Sequence, residues 1–102
     1  MIRAIPKTIT ESGIVYTGQC CVAGMQIGMD GVNDPQITVY DGIEASGVEI
    51  IPTNTYDSSA LGLNGFAAGY LKECRTGVYV QIEASGGGAF VGAVEITIDL
   101  VY

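Results

Sequence analysis

The sequence predicts an all-β fold, an antiparallel β-sandwich or jelly roll of about seven or eight short strands within a single domain over residues 1–102. Three observations predict it. Fifteen glycines are spread through the chain and separate short segments rich in Val, Ile, Thr and Tyr, the residues that suit a pleated surface. The C-terminal segment alternates strictly, with Val94, Ile96, Ile98 and Leu100 set against Glu95, Thr97 and Asp99, so one face is apolar and the other polar. No segment sustains the repeat of an amphipathic helix.

The elements follow in order. Strands are expected at Lys7–Tyr16, Gln19–Ile27, Gln36–Tyr40, Gly47–Ile51 and Ala67–Lys72. Turn residues mark their ends: Thr17-Gly18 after the first, Asp41-Gly42 after the third and Asn64-Gly65 before the last of these five. Pro52 is expected to end the Ile50-Ile51 strand, because proline cannot donate to a ladder. Thr53–Leu63 then reads as the longest loop, with Ser58–Leu63 the place for a helical turn. Val78, Val80 and Ile82 alternate with Tyr79, Gln81 and Glu83, and Gly86-Gly87-Gly88 supplies positive-φ positions. Val78–Ala84 and Val91–Val101 are accordingly expected to pair as a closing hairpin. One internal echo stands out: Val39-Tyr40-x-x-Ile43-Glu44-Ala45-Ser46-Gly47 recurs as Val78-Tyr79-x-x-Ile82-Glu83-Ala84-Ser85-Gly86. It fits either a duplicated half-sandwich or convergence on one strand-and-turn solution, and it lacks the multiple copies of a solenoid or propeller.

Charge closes several functional classes. Eleven acids against four cations give a net charge of −7, and the cations Arg3, Lys7, Lys72 and Arg75 are too few for a phosphate-binding stripe. Neither nucleic acid nor an anionic membrane is expected as a partner. No run approaches the roughly 18 apolar residues of a membrane span, and the start from Met1 to Lys7 does not resemble a signal peptide, so the chain is expected to be made in a cytoplasm. There, free buried thiols are expected for Cys20, Cys21 and Cys74, the alternative being a bridge from Cys20 or Cys21 to Cys74.

Catalytic routes are few. The chain has no His, which removes the commonest general base and zinc ligand. Ser58, Ser59 and Cys74 are the nucleophiles to consider, yet only Lys72 or a carboxylate could serve as base and no Gly-x-Ser-x-Gly elbow exists. Glu73 and Arg75 flank Cys74 and roughly cancel, leaving nothing to lower its thiol pKa. No phosphate-binding glycine motif lies between a strand and a helix. Asp30-Gly31-Val32-Asn33-Asp34 holds oxygen ligands for calcium but lacks the spacing of an EF-hand, and a turn in which the Asp and Asn side chains bond their own backbone accounts for it better. No enzyme activity, cofactor or metal is expected.

The remaining signal is apolar surface. A mean hydropathy of +0.37 is high for a small monomer. Tyr16, Met25, Met29, Tyr40, Tyr56, Tyr70, Val101 and Tyr102 are the candidates for burial against another chain, tyrosine being able to bury a ring and keep a polar tip.

A resemblance adds to this reading. Lys7-x-Ile9-x-x-Ser12-Gly13, Thr17-Gly18-Gln19-Cys20, Val39-Tyr40-Asp41-Gly42 with Ser46-Gly47, and Cys74-x-x-Gly77-Val78-Tyr79-Val80 before a closing alternating strand resemble the small virion proteins of tailed bacteriophages. The likeness covers most of the chain through loose strand-and-turn patterns, and departs in the doubled Cys20-Cys21 and the Asp30–Asp34 loop. It implies a sandwich or jelly-roll module that decorates or cements a phage head, contacts the major capsid protein or other virion proteins, and is assembled in the host bacterial cytoplasm. A homo-oligomer, a trimer above all, is expected from shell symmetry and from the hydrophobicity. The competing expectation is a carbohydrate- or receptor-binding module of a fibre or tail, with Tyr40, Tyr56 and Tyr79 stacking on sugars. Met1–Lys7 is read as an arm, because Pro6 opposes ladder pairing. The expected contact residues are Ile2, Arg3, Ile5 and Lys7 of this arm, with Lys72 and Arg75.

Overall fold

The structure, a computed structural model, describes residues 3–59, 62–65 and 71–102, with 62–65 described as backbone. Among the described residues nine strands form: β1 (Ile5–Ile9), β2 (Gly13–Thr17), β3 (Cys20–Met29), β4 (Pro35–Asp41), β5 (Glu49–Thr55), β6 (Gly62–Gly65), β7 (Lys72–Cys74), β8 (Gly77–Ala84) and β9 (Val94–Val101). Every described pairing is antiparallel. Sheet A runs β1-β9-β3, with β6 and β7 sharing the far edge of β3; sheet B runs β2-β8-β4-β5. The all-β sandwich expected from alternation and glycine spacing is the fold observed, and no helix is present among the described residues.

Alternation builds the core. Val94, Ile96, Ile98 and Leu100 from β9 join Val22, Met25 and Ile27 from β3 on the inner side of sheet A. Val78, Val80 and Ile82 from β8 join Ile37 and Val39 from β4 and Ile51 from β5 on the inner side of sheet B. All are buried, and each such side chain removed from water contributes about 1.5–3 kcal/mol to folding before entropy is counted.

The expected hairpin of Val78–Ala84 with Val91–Val101 is not formed. β8 lies in sheet B and β9 in sheet A, so the connection between them crosses the sandwich. The two alternating patterns are complementary across the core rather than side by side, and a periodicity of two does not distinguish those arrangements. Gly86, Gly87 and Gly88 do adopt positive φ, and Gly87 N–H donates to the Ala84 carbonyl to turn the chain out of β8 before it crosses.

Other boundaries move for local reasons. The single strand expected at Lys7–Tyr16 is two strands in different sheets. Ser12 lies at the break, its hydroxyl accepting the Ile82 N–H at 2.8 Å and donating to the Ile82 carbonyl at 3.2 Å, which supplies side-chain bonds where the ladder is interrupted. Pro52 does not end β5. It lies inside an edge strand that pairs only with β4, at a register shift where Ile51 faces Val39 and Asn54 faces Ile37, so a missing donor is tolerated there. The expected long loop is shorter, since β5 reaches Thr55; Asn64 and Gly65, expected to turn, pair with Met25 and Gly24 in β6. The strand expected at Ala67–Lys72 lies largely outside the described residues, and β7 begins at Lys72.

The internal echo occupies neighbouring strands of one sheet, β4 and β8, with Tyr40 opposite Tyr79. Its copies part company after the tyrosines: Ile82 is buried inside β8, whereas Ile43 is exposed in the β4–β5 loop. This placement favours convergence over a duplicated half-sandwich.

Candidate interaction surfaces

Two ends and two outer faces carry the functional candidates. At one end the Asp30 carboxylate gathers the loops. Oδ1 accepts the N–H groups of Val32 and Asn33, both at 2.8 Å, and the Ser58 hydroxyl at 3.3 Å; Oδ2 accepts Asn33 Nδ2 at 2.9 Å and Ala93 N–H at 3.0 Å. Ser58 also accepts the Gly31 N–H at 2.7 Å, and Asp34 accepts the Ser58 N–H at 2.8 Å. Donation from the Asn33 side chain above all, then from the Asn33, Val32 and Ala93 backbones, holds the Asp30 carboxyl well below the usual carboxylate range. Its oxygens therefore face N–H and O–H dipoles, the arrangement of a self-capping turn, and the described residues contain no cluster fit to hold a metal ion. Around this hub lie three open clefts: one of about 490 Å³ borders Asp30 and Gly92, one of about 350 Å³ borders Phe90 and Gly92, and one of about 290 Å³ borders Asn33 and Phe90. Val32 and Val91 stand at its rim, 82% and 77% exposed.

At the opposite end Asp41 closes β4. Its carboxylate accepts the N–H groups of Arg75 and Thr76 at 3.0 Å and of Gly77 at 3.4 Å, fixing the turn between β7 and β8. Burial alone would raise the Asp41 pKa, but these backbone donors and the Arg75 charge outweigh it and leave the carboxyl below its ordinary value. Tyr102 stacks on Tyr16 beside this end, with ring centroids 4.4 Å apart.

The candidate nucleophiles are committed or inert. Ser58 is buried and bonded within the Asp30 hub, while the Ser59 hydroxyl donates to Asp57 at 2.7 Å. Burial pushes the Cys74 thiol up to about 12, and burial likewise raises Cys20, which faces Cys74 across the β3–β7 ladder and shares a hydrogen bond with it. Cys20, Cys21 and Cys74 are all free thiols.

The contact residues expected from sequence fall into two separate groups. Ile2 lies outside the described residues. Arg3 is exposed just before β1, and Ile5 and Lys7 belong to β1, opposite Leu100 and Ile98. The free arm expected at 1–7 is thus a ladder strand from Ile5 onward; Pro6 is accommodated because β1 is an edge. Lys72 and Arg75 lie at the far edge of sheet A, in and just after β7, with Arg75 Nε 3.6 Å from Glu73 in an exposed pair of little energetic weight. The structure therefore does not bring the four cations together.

Of the apolar interface candidates, two are core residues. Met25 faces inward because it lies opposite Ile98 in the ladder, and Tyr56 folds under the sandwich after its N–H donates to the Pro35 carbonyl at 2.9 Å. The sugar-stacking set loses Tyr56 for that reason. Tyr70 lies outside the described residues, Tyr102 is exposed, and Tyr16, Met29 and Val101 are half-buried.

Sequence reasoning missed the alignment of the outer face of sheet B. Ile14 lies opposite Tyr79, Tyr79 opposite Tyr40 and Tyr40 opposite Glu49, one row across β2, β8, β4 and β5. Cross-strand partners share a face, and the burial of Val78 and Val80 on either side of Tyr79 fixes that face as the outer one. Ile14 is 50% exposed, and the Tyr40 hydroxyl donates to Gln81 Oε1 at 3.4 Å. Strand order is the signal that sequence spacing did not hold. Comparison with protein-family models, with curated proteins and with solved structures finds no match to this chain.

Proposed function

We propose that this chain is a non-enzymatic structural subunit of a phage particle, a decoration or cement module that attaches to the head and to copies of itself. The observation that carries the proposal is the coexistence of a filled core with well-exposed apolar side chains. Val22, Ile37, Val39, Val80, Ile96, Ile98 and Leu100 are fully enclosed, so the core needs no further apolar cover, yet Val32, Val91, Val48 and Ile14 stay outside it. On a small domain such side chains are placed for contact with another surface. The loops that bear Val32 and Val91 are held by the Asp30 network, so little ordering entropy is lost when they dock. The resemblance of the strand-and-turn order to small virion proteins supplies the particle.

Co-sedimentation tests the proposal. The purified chain, mixed with heads of the phage that encodes it, should pellet with them in saturable fashion, and Val32→Asp with Val91→Asp should weaken that binding while leaving the fold intact. A chain that stays in the supernatant at every concentration would contradict it.

A further inference from the structure

The structural-subunit reading leaves the three cysteines without a role, and two of them face each other. Cys20 opens β3 and Cys74 closes β7, and the antiparallel register makes them direct partners. Both are free thiols and both are buried, at 3% and 0% exposure. They share a hydrogen bond, so their sulfurs meet on the inner side of sheet A.

We infer that Cys20 and Cys74 are a dithiol site that a small disulfide oxidant of the glutathione class converts, as the chain folds, into a cross-strand disulfide joining β7 to β3. The inference is independent of the structural-subunit reading.

The ladder permits this bond. Directly opposed residues of an antiparallel pair have Cα atoms about 4.5–5.5 Å apart, inside the roughly 4.4–6.8 Å that a disulfide spans. The same ladder opposes the other pairings. Cys21 lies opposite Glu73 and Val101, and successive strand residues point to opposite faces, so Cys21 is turned away from both Cys74 and Cys20. Bond formation asks the two sulfurs to approach a little further. β7 can follow, being a three-residue strand whose pairing among the described residues is with β3 alone.

Thiol chemistry decides when the bond forms. In the folded chain burial raises both thiols, Cys74 up to about 12, and shields both sulfurs from an oxidant. In the unfolded chain both titrate as ordinary cysteines, near about 8.5. One thiolate there attacks a sulfur of oxidised glutathione, forming a mixed disulfide and releasing one glutathione thiolate. Pairing of β7 with β3 then brings up the second cysteine. Its sulfur loses a proton to solvent and attacks the cysteine sulfur of the mixed disulfide, releasing the second glutathione. Two cysteine thiols are thereby oxidised to one disulfide, and one oxidised glutathione is reduced to two thiols.

The product suits its surroundings. The bridge replaces two S–H groups of the core with an apolar bond, and it closes a loop that holds β4 and β5 of sheet B and β6 of sheet A. Without an oxidant the chain folds as the dithiol. Burial then preserves whichever state folding produced.

Refolding of the full chain from urea, with and without a glutathione redox buffer, tests this, read by mass spectrometry of alkylated peptides with circular dichroism as the folding control. The oxidised product should lack two hydrogens and carry one Cys20–Cys74 link, with Cys21 as a thiol or a glutathione adduct. Its Tm should lie about 10 °C or more above that of the dithiol. Cys21→Ser should bridge as wild type does, whereas Cys20→Ser, which keeps Cys21 and Cys74, should form no bridge within the chain. A Cys21–Cys74 or Cys20–Cys21 link as the main product overturns the inference. So does a chain that refolds in the oxidising buffer without any link, or a bridged chain that melts below the dithiol. Cys21→Ser retains both proposed partners, so its failure to bridge overturns the inference whether or not Cys20→Ser folds.

Discussion

Asp30 accepts the backbone N–H of Ala93 at 3.0 Å, a bond between the β3–β4 loop and the end of the β8–β9 crossing, 63 residues later in the chain. That bond extends the β3–β9 ladder of sheet A past the Met29–Val94 pair, and the Ser58 hydroxyl on Oδ1 ties the same carboxylate to the segment after β5 of sheet B. Asp30→Ala should therefore loosen both loops together. Thermal unfolding should shift to lower temperature, and hydrogen exchange should rise at Val32, Asn33 and Ala93 but not along β9. Unchanged exchange at Ala93 would show that the link carries no stability.

The same carboxylate sets a pH dependence. Asp30 and Asp41 both titrate below their ordinary value in the folded chain, so the unfolded chain binds protons first as pH falls. Their contribution is complete above the ordinary carboxylate pKa of about 3.9 and is lost progressively as pH drops below it toward the folded values. Acid unfolding monitored by circular dichroism should show this loss, and Asp41→Asn should make it shallower.

Gly92 is required by the Asp30 hub. Its φ of 138° is a region side chains rarely adopt, and a Cβ there would stand 2.7 Å from both Asp30 Oδ2 and Asn33 Nδ2. Gly92→Ala should destabilise by more than about 1 kcal/mol in denaturant titration and by more than Gly31→Ala, where φ is again positive but no atom lies within reach of a Cβ.

Thiol reactivity should separate the three cysteines. Cys20 and Cys74 are buried with raised pKa, whereas Cys21 points to the outer side of β3 and is half-buried. Alkylation of the native chain at mildly alkaline pH should modify Cys21 first and the other two only on unfolding, read by mass spectrometry of peptides. Fast labelling of Cys74 in the native chain would contradict the burial.

Much of the fold is legible in local pattern. The alternation of Val94 to Leu100 and of Val78 to Ile82 identifies both strands and both buried faces, because side-chain period alone decides them. Partnership is not legible, since the same alternation suits a hairpin and a face-to-face pair; only the crossing at 85–93 separates them. The Asx turn at Asp30 is readable from its residues, but its links to Ser58 and Ala93 are tertiary. Met25 and Tyr56 look like surface candidates in the sequence for the same reason, as their burial depends on Ile98 opposite one and Pro35 bonded to the other. The outer row of sheet B draws on four segments whose order in the sheet differs from their order in the chain.

Core truncation should divide cleanly from surface change. Ile98→Ala removes a fully enclosed side chain between Met25 and Lys7 in the ladder and should cost about 2–5 kcal/mol in urea unfolding. Val91→Ser, at a highly exposed position, should stay within about 0.5 kcal/mol.

Cryo-electron microscopy of a virion of the kind to which the structural-subunit proposal assigns this chain tests that proposal most directly. The account predicts repeated copies of a two-sheet sandwich on the head, with the loop end bearing Val32 and Val91 against the shell. A complete virion reconstruction without density for this 10.6 kDa domain, from particles whose mass spectra also lack the chain, would contradict it.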